Sequence, residues 1–144
     1  MVTERNGMSG AESVMLPFGG YVMAGFPSPA SDYAEDNIDL VRELVPHPVS
    51  TFYFRAVNDS MIDAHIPPDA ILIVDKVVKP HNWSIVIASV NGEFVVKYFI
   101  KDREGIKLVP ANKKYKTMVI REGEDFAIWG VVTGIVIQTE RFGK

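Results

Sequence analysis

The sequence predicts a mostly β fold with one short helix near its N-terminus and a flexible N-terminal arm. At 144 residues, the chain is long enough for one domain with its own core and too short for two. From residue 51 onward, short runs rich in β-branched and aromatic residues alternate with turn residues. Asn91-Gly92 separates two of these runs and is the strongest short hairpin signal. We therefore predict a curled β-sheet or partial barrel.

Residues 1–30 have the composition of an arm rather than of a packed element. Glycine and proline are frequent there, and the few apolar residues show no sustained period. Apolar side chains at 21–23 and 26 nevertheless give the arm an apolar surface with which it can dock. We predict that residues 1–30 form a flexible arm and that residues 31–144 form the β domain.

Residues 36–45 are predicted to form the helix. Ile38, Val41 and Leu44 recur at helical spacing, acidic residues fill the first turn, and Pro46 stops the helix. We expect the apolar face to pack on the domain.

The rest of the chain is predicted to be strand and turn. The predicted strands are 51–57, 71–75, 84–90, 93–100, 107–109, 117–120 and 126–138. The two-residue loop at Asn91-Gly92 places Val86 opposite Lys97 in the hairpin. Gly130 and Gly134 break the last run and predict bulges or a bend.

Ser60 is the first candidate for catalysis. It follows a predicted strand and precedes a turn of helix that Pro67-Pro68 cannot extend. Its hydroxyl should therefore lie beside unpaired backbone N–H groups, which are natural donors to an oxyanion.

Lys97 is the second candidate, because it is the one cation in the mostly apolar run 93–100. Desolvation disfavours the charged amine, so a lysine in such surroundings loses its proton more easily. A neutral amine beside an exposed hydroxyl is a general base beside a nucleophile.

The residues alone leave other interpretations open. Ser60 is equally suited to cap a helix. Lys97 is equally suited to prevent an edge strand from pairing with another chain. His65 is a poor partner for Ser60, since five residues of helix turn the side chain by about 140°. No histidine pair has metal-ligand spacing and no phosphate loop is present, so we expect no metal and no cofactor.

Composition limits the classes of function. A net charge of −3 without a basic run argues against strong direct binding to nucleic acid. No apolar run approaches the roughly 18 residues of a membrane helix, and the arm lacks the apolar core of a signal peptide. The absence of cysteine fits a reducing compartment, so we expect a cytoplasmic protein without a membrane partner.

Several motifs resemble those of the LexA-type self-cleaving Ser/Lys peptidases, whose domain has a LexA/signal-peptidase-like curled sheet. They are Asn58-Asp59-Ser60-Met61, the run 69–75, and the run 91–97 that ends in Lys97. The segments 25–33 and 108–112 resemble the UmuD family in particular. The resemblance extends from about residue 24 almost to the C-terminus.

This resemblance implies that Ser60 is the nucleophile, Lys97 the general base, and Ala24–Gly25 the bond that is cut. It also implies a homodimer whose self-cleavage is stimulated by a RecA–single-stranded-DNA filament in the SOS response. The shortened product would then join a UmuC-type Y-family polymerase as its accessory subunit in translesion synthesis.

Three residues depart from the family pattern: Trp83-Ser84, Pro68 and Asn58 replace the residues usual at those positions. None of these departures removes a reacting group. A non-catalytic β module that regulates a polymerase without being cut is the alternative function. A LexA-type repressor would need a DNA-binding domain before the peptidase domain, and a signal peptidase would need a membrane anchor.

Overall fold

The computed structural model describes residues 13–22, 24–25 and 37–140. The chain divides into two compact units, Met1–Pro46 and His47–Lys144. The predicted boundary between arm and domain, at residues 30 and 31, lies outside the described residues and remains a prediction. None of the helices in the described ranges is long and apolar enough to cross a membrane.

The described residues of the first unit form two short strands and a helix. Strand β1 (Met15–Pro17), which the sequence analysis did not predict, pairs antiparallel with β2 (Asn37–Asp39). Helix α1 (Leu40–Leu44) follows directly and is shorter than the predicted helix 36–45. It begins at Leu40 because the residues before it are extended in β2 and the Asp39 carboxylate caps the Arg42 N–H at 3.1 Å.

The apolar face predicted for this helix is not buried. Val41 is 68% exposed, and none of the residues of α1 is buried. The expectation that this face packs on the domain concerns the placement of one unit against the other and remains a prediction. Because β2 takes residues 37–39, five helical residues remain, which is too short for a continuous apolar stripe.

The second unit is built on one seven-stranded antiparallel sheet. Every predicted strand is present, with ends that differ by up to two residues. The strand order is β3-β4-β9-β5-β6-β7-β8, and the sheet is not closed into a barrel. The strands are β3 (Thr51–Arg55), β4 (Ile71–Asp75), β5 (Ile85–Val90), β6 (Glu93–Asp102), β7 (Gly105–Val109), β8 (Met118–Val119) and β9 (Phe126–Val136).

The hairpin between β5 and β6 has the predicted register. Asn91 and Gly92 both have positive φ, 51° and 87°, as a tight hairpin turn with right-handed twist requires. Val90 therefore pairs with Glu93, and Val86 lies opposite Lys97.

Strand β9 carries two bulges, which confirms the prediction from its glycines. Against β5, the register passes from Gly130 to Ile128 within one step, so Trp129 is the extra residue. Against β4, it passes from Gly134 to Val132, so Thr133 is the extra residue. Each bulge thus lies beside a glycine and increases the local twist of the sheet.

Two apolar clusters cover opposite faces of the sheet. Alternation along β5 places Ile87 in one cluster and Val86 and Ala88 in the other. The first cluster also contains Met61 and Ile66, which are 1% and 0% exposed. The segment that carries Ser60 is therefore held by core packing as well as by hydrogen bonds.

The end of β4 is anchored by a buried carboxylate. Asp75 is 2% exposed and accepts hydrogen bonds from the Ser50 hydroxyl at 2.8 Å and the Val77 N–H at 3.1 Å. His47 Nδ1 lies 2.5 Å from its other oxygen. Burial opposes ionisation of Asp75, but these hydrogen bonds outweigh it and lower the pKa of the carboxyl group.

Replacing Gly130 by alanine is expected to destabilise the second unit. The added Cβ would lie 2.6 Å from Val74 Cγ1, and the Val74 side chain is stiff and fully buried. We expect a loss of about 1–3 kcal/mol in the free energy of unfolding, measured by denaturant titration.

Two matched variants give the scale for this prediction. At Gly134, the new Cβ would meet the flexible end of Ile73 at 3.2 Å, so Gly134→Ala should cost less. At Gly19 the space is open, and Gly19→Ala should stay within about 0.5 kcal/mol of the parent. Equal stability of all three variants would contradict the close approach of β9 to β4.

Candidate functional site

Ser60 lies on a tight turn between β3 and a short 3-10 helix, Ile62–Ala64. Its backbone N–H donates to Asn58 Oδ1 at 3.0 Å, which is an Asx turn. His65, in the left-handed region with φ of 66°, ends the 3-10 helix. The predicted strand-to-turn transition is therefore present, with Ser60 itself 2% exposed.

The segment after β7 is bonded to this turn at three points. The Ala111 N–H donates to the Ser60 carbonyl at 2.8 Å, and the Asp63 N–H donates to the Ala111 carbonyl at 2.8 Å. The Asn112 side-chain amide donates to the Asp59 carbonyl at 2.8 Å. Two segments some 50 residues apart are thus fixed to each other on both sides of Ser60.

Lys97 lies in the middle of β6 and is 9% exposed. Its cross-strand neighbour is Val86, which is fully buried. Burial lowers the pKa of the Lys97 amine below the ordinary lysine value, because the charged form loses its hydration.

Ser60 and Lys97 line the same cleft, which has a volume of about 130 Å³. Successive residues of two segments, 54–58 and 94–97, line it as well. Side chains alternate between the faces of a strand, so a cleft that touches four consecutive residues must run along the strand's edge. In the described structure, β6 pairs with β7 only from Tyr98 onward, which leaves the edge at 93–97 open on that side.

One wall of the cleft is aromatic. The rings of Phe54 and Phe94 line it with their centroids 5.4 Å apart, edge to face. Trp129 packs against Phe54 at 5.0 Å, and the Lys76 amine lies 4.4 Å from its centroid. Phe94 is 56% exposed, so the cleft opens onto an apolar surface.

The other residues that the sequence analysis singled out are His65, Ala24 and Gly25. His65 does not line the cleft, and the structure does not bring it together with the Ser60 side chain. Ala24 and Gly25 form an exposed turn in the first unit, where Gly25 has a φ of 93°. Met23 and residues 26–36 lie outside the described residues.

The three departures from the family pattern leave the cleft intact. Trp83, with φ of 74°, packs its ring edge-on against Tyr98 at 5.3 Å and does not line the cleft. Pro68 precedes Asp69, whose φ is also 74°. Asn58 does line the cleft. Its Oδ1 accepts a hydrogen bond from the Ser60 N–H, which was predicted to be an oxyanion donor.

Sequence reasoning missed Tyr115, which contacts both sides of the site. Its hydroxyl donates to Asp59 Oδ1 at 2.6 Å, and its ring centroid lies 5.5 Å from Lys97 Nζ. This hydrogen bond lowers the pKa of Asp59 and raises that of Tyr115. No spacing signal could have found Tyr115, because the turn after β7 brings it to the site.

Comparison with known proteins identifies the family and several relatives of this chain. Residues 17–133 match the model of a family described as Peptidase S24-like. The chain is 38% identical to Protein ImpA of Escherichia coli, over 91% of this chain and 90% of that protein. It is 42% identical to Protein SamA of Salmonella typhimurium, over 81% of this chain and 80% of that protein. It is 36% identical to Protein MucA of Escherichia coli, over 81% of this chain and 80% of that protein.

Replacing Lys97 by methionine is expected to stabilise the folded protein near neutral pH. The native pKa of Lys97 lies below its unfolded value, so the unfolded chain binds more protons between the two values. Stability of the parent should therefore rise with pH through that window, while Lys97→Met lacks this rise. We expect a gain on the order of 1 kcal/mol at neutral pH that shrinks at alkaline pH.

Denaturant titration at several pH values measures this difference. Lys101→Met is the matched control, because Lys101 is exposed on the same strand. A loss of stability in Lys97→Met at neutral pH would contradict the desolvation argument.

Proposed function

The chain belongs to the Peptidase S24-like family, and we propose that it cuts its own Ala24–Gly25 bond with Ser60 as nucleophile and Lys97 as general base. Its UmuD-family relatives support an accessory role in SOS mutagenesis. The single observation that carries the catalytic proposal is that both side chains line one cleft, with the amine desolvated.

The chemistry balances with the groups present. Neutral Lys97 takes the proton of the Ser60 hydroxyl as Oγ attacks the carbonyl carbon of Ala24. The tetrahedral intermediate collapses, the bond to the Gly25 nitrogen breaks, and the Lys97 ammonium delivers its proton to that leaving amine. Water, deprotonated by Lys97, then hydrolyses the ester between Ala24 and Ser60 and restores the hydroxyl.

The cleft suits a peptide that binds in an extended form. The open edge of β6 at 93–97 offers backbone N–H and C=O groups to an added strand. A cavity of about 130 Å³ suits the small side chain of Ala24, and Gly25 has no side chain to obstruct attack. Tyr21 and Val22, which precede the proposed bond, are apolar and exposed.

The attached substrate also explains why a serine with a lysine base suffices. An arm on the same molecule, or on a dimer partner, presents the bond at high effective concentration. A RecA–single-stranded-DNA filament would then act by favouring the docked arm, which is a shift of population rather than new chemistry.

The partners belong to the same proposal. We propose a homodimer in the cytoplasm, and a product of residues 25–144 that binds a UmuC-type Y-family polymerase. The alternative, a β module that regulates a polymerase without being cut, has the same fold and the same relatives. Only the cleavage reaction distinguishes the two.

The purified full-length protein, incubated at mildly alkaline pH with and without a RecA–single-stranded-DNA filament, is expected to release a fragment that begins at Gly25. Mass spectrometry of the product's N-terminus identifies the bond. Ser60→Ala and Lys97→Ala should each abolish cleavage, because each removes one of the two reacting groups.

Two control variants test the assignment of residues. Ser89→Ala and Lys101→Ala change the same residue types on β5 and β6 outside the cleft, and both should cleave at the parent's rate. An intact band in the parent under both conditions would favour the non-cleaving module. Cleavage at another bond would overturn the assignment of Ala24–Gly25.

The rate of self-cleavage is expected to rise with pH. Lys97 acts only when neutral, and its neutral fraction rises about tenfold per pH unit below its pKa. Because burial lowers that pKa, the rate should level off below the ordinary lysine value of 10.5. Single-turnover rates from pH 6 to 11 measure this profile.

Circular dichroism at each pH checks that the chain remains folded, and Ser60→Ala gives the background rate. A profile that levels off near neutral pH, at the ordinary pKa of histidine, would point to a histidine base and contradict the role of Lys97.

A further inference from the structure

Tyr115 connects the two halves of the proposed catalytic pair. Its hydroxyl is bonded to the carboxylate of Asp59, the residue directly before Ser60. The face of its ring lies 5.5 Å from the Lys97 amine, within the roughly 6 Å at which a cation interacts with an aromatic ring. One side chain therefore contacts the neighbour of the nucleophile and the base itself.

We propose that Tyr115 is a positioning residue whose ring stabilises the ammonium that Lys97 becomes when it takes the proton of Ser60. This inference rests on the proposed function and extends it. The hydroxyl of Tyr115 holds the ring in place through Asp59, and the ring acts on the reaction through Lys97.

The balance of forces on Lys97 explains why such a group is needed. Burial lowers the pKa of the amine and so favours the neutral form that can accept a proton, but the same burial penalises the ammonium that results. A ring face offers negative electrostatic potential without a full charge and without water. The ring therefore favours the ammonium in the transition state. The pKa of the amine nevertheless stays below the ordinary lysine value.

No carboxylate lines the cleft beside Lys97 in the described structure. Arg55 is the other charged residue that lines it, and its guanidinium lies 3.4 Å from Asp69. Asp59 is occupied by Tyr115 and by the Lys114 amine, 3.6 Å from its second oxygen. Among the described residues, the Tyr115 ring thus contacts the Lys97 amine and favours its positively charged form.

The first measurement is the pKa of Lys97 itself, by NMR of lysine labelled at Cε, in full-length protein that carries Ser60→Ala. Tyr115→Leu keeps an apolar side chain but removes the ring, and should lower the pKa of Lys97 by roughly 0.5–1 pH unit. Tyr115→Phe keeps the ring but loses the bond to Asp59, and should lower that pKa by less than Tyr115→Leu does. A merely structural role for Tyr115 predicts no such difference between leucine and phenylalanine.

The second measurement is the pH profile of single-turnover cleavage with Ser60 present. Tyr115→Leu should lower the plateau rate by about 3- to 30-fold and move the midpoint to lower pH, since the base is weaker. Tyr115→Phe should lose less. Tyr53→Leu, which changes an exposed tyrosine outside the cleft, should match the parent.

The outcomes separate this inference from the proposed function. A pKa of Lys97 that is unchanged or raised in Tyr115→Leu overturns the role of the ring, and so does an equal fall in Tyr115→Phe. Cleavage that persists in Ser60→Ala or Lys97→Ala would instead overturn the proposed function, whatever Tyr115 does. Denaturant titration of each variant shows whether a lost rate reflects unfolding, and the pKa measurement is made on folded protein.

Discussion

The site depends on one constraint, which is that the Lys97 amine has lost most of its hydration. Lys97 stands on a sheet strand between apolar neighbours and is 9% exposed. Burial of the charged amine destabilises the fold there, and it also lowers the pKa of the amine, which therefore loses its proton more readily. In a sheet whose other buried side chains are mostly apolar, this lysine makes sense as a functional group rather than as a packing element.

Ser60, the proposed nucleophile, depends on a different kind of support. A serine on a turn between two elements would move with that turn, but backbone hydrogen bonds tie this turn to the segment after β7. Met61, directly after Ser60, is 1% exposed and anchors the same turn in the core. The turn is thereby held by packing on one side and by the 111–115 segment on the other.

The parts of this architecture that local rules govern could be predicted from the sequence. Asn91-Gly92 determines a two-residue turn, and the turn determines that Val86 faces Lys97. Strand β1 could not be predicted, because three residues are too few for a period and its partner lies about 20 residues away. Tyr115 was missed for a related reason, since its place depends on hydrogen bonds between distant segments. Asn58 was noted only as a departure, and its bond to the Ser60 N–H required the geometry of the turn.

The two bulges of β9 have a consequence for the distance between Ser60 and Lys97. Three strands, β4, β9 and β5, separate β3 from β6 in the sheet. In a flat sheet, four spacings of about 4.8 Å would hold these strands about 19 Å apart. The segments 54–58 and 94–97 nevertheless border one small cavity, so the sheet must bend sharply between them. The extra residues Trp129 and Thr133, in the middle strand, lie where that bend is needed. Ser60 and Lys97 thus line one cleft, and the two extra residues at the bend lie in a strand that carries neither of them.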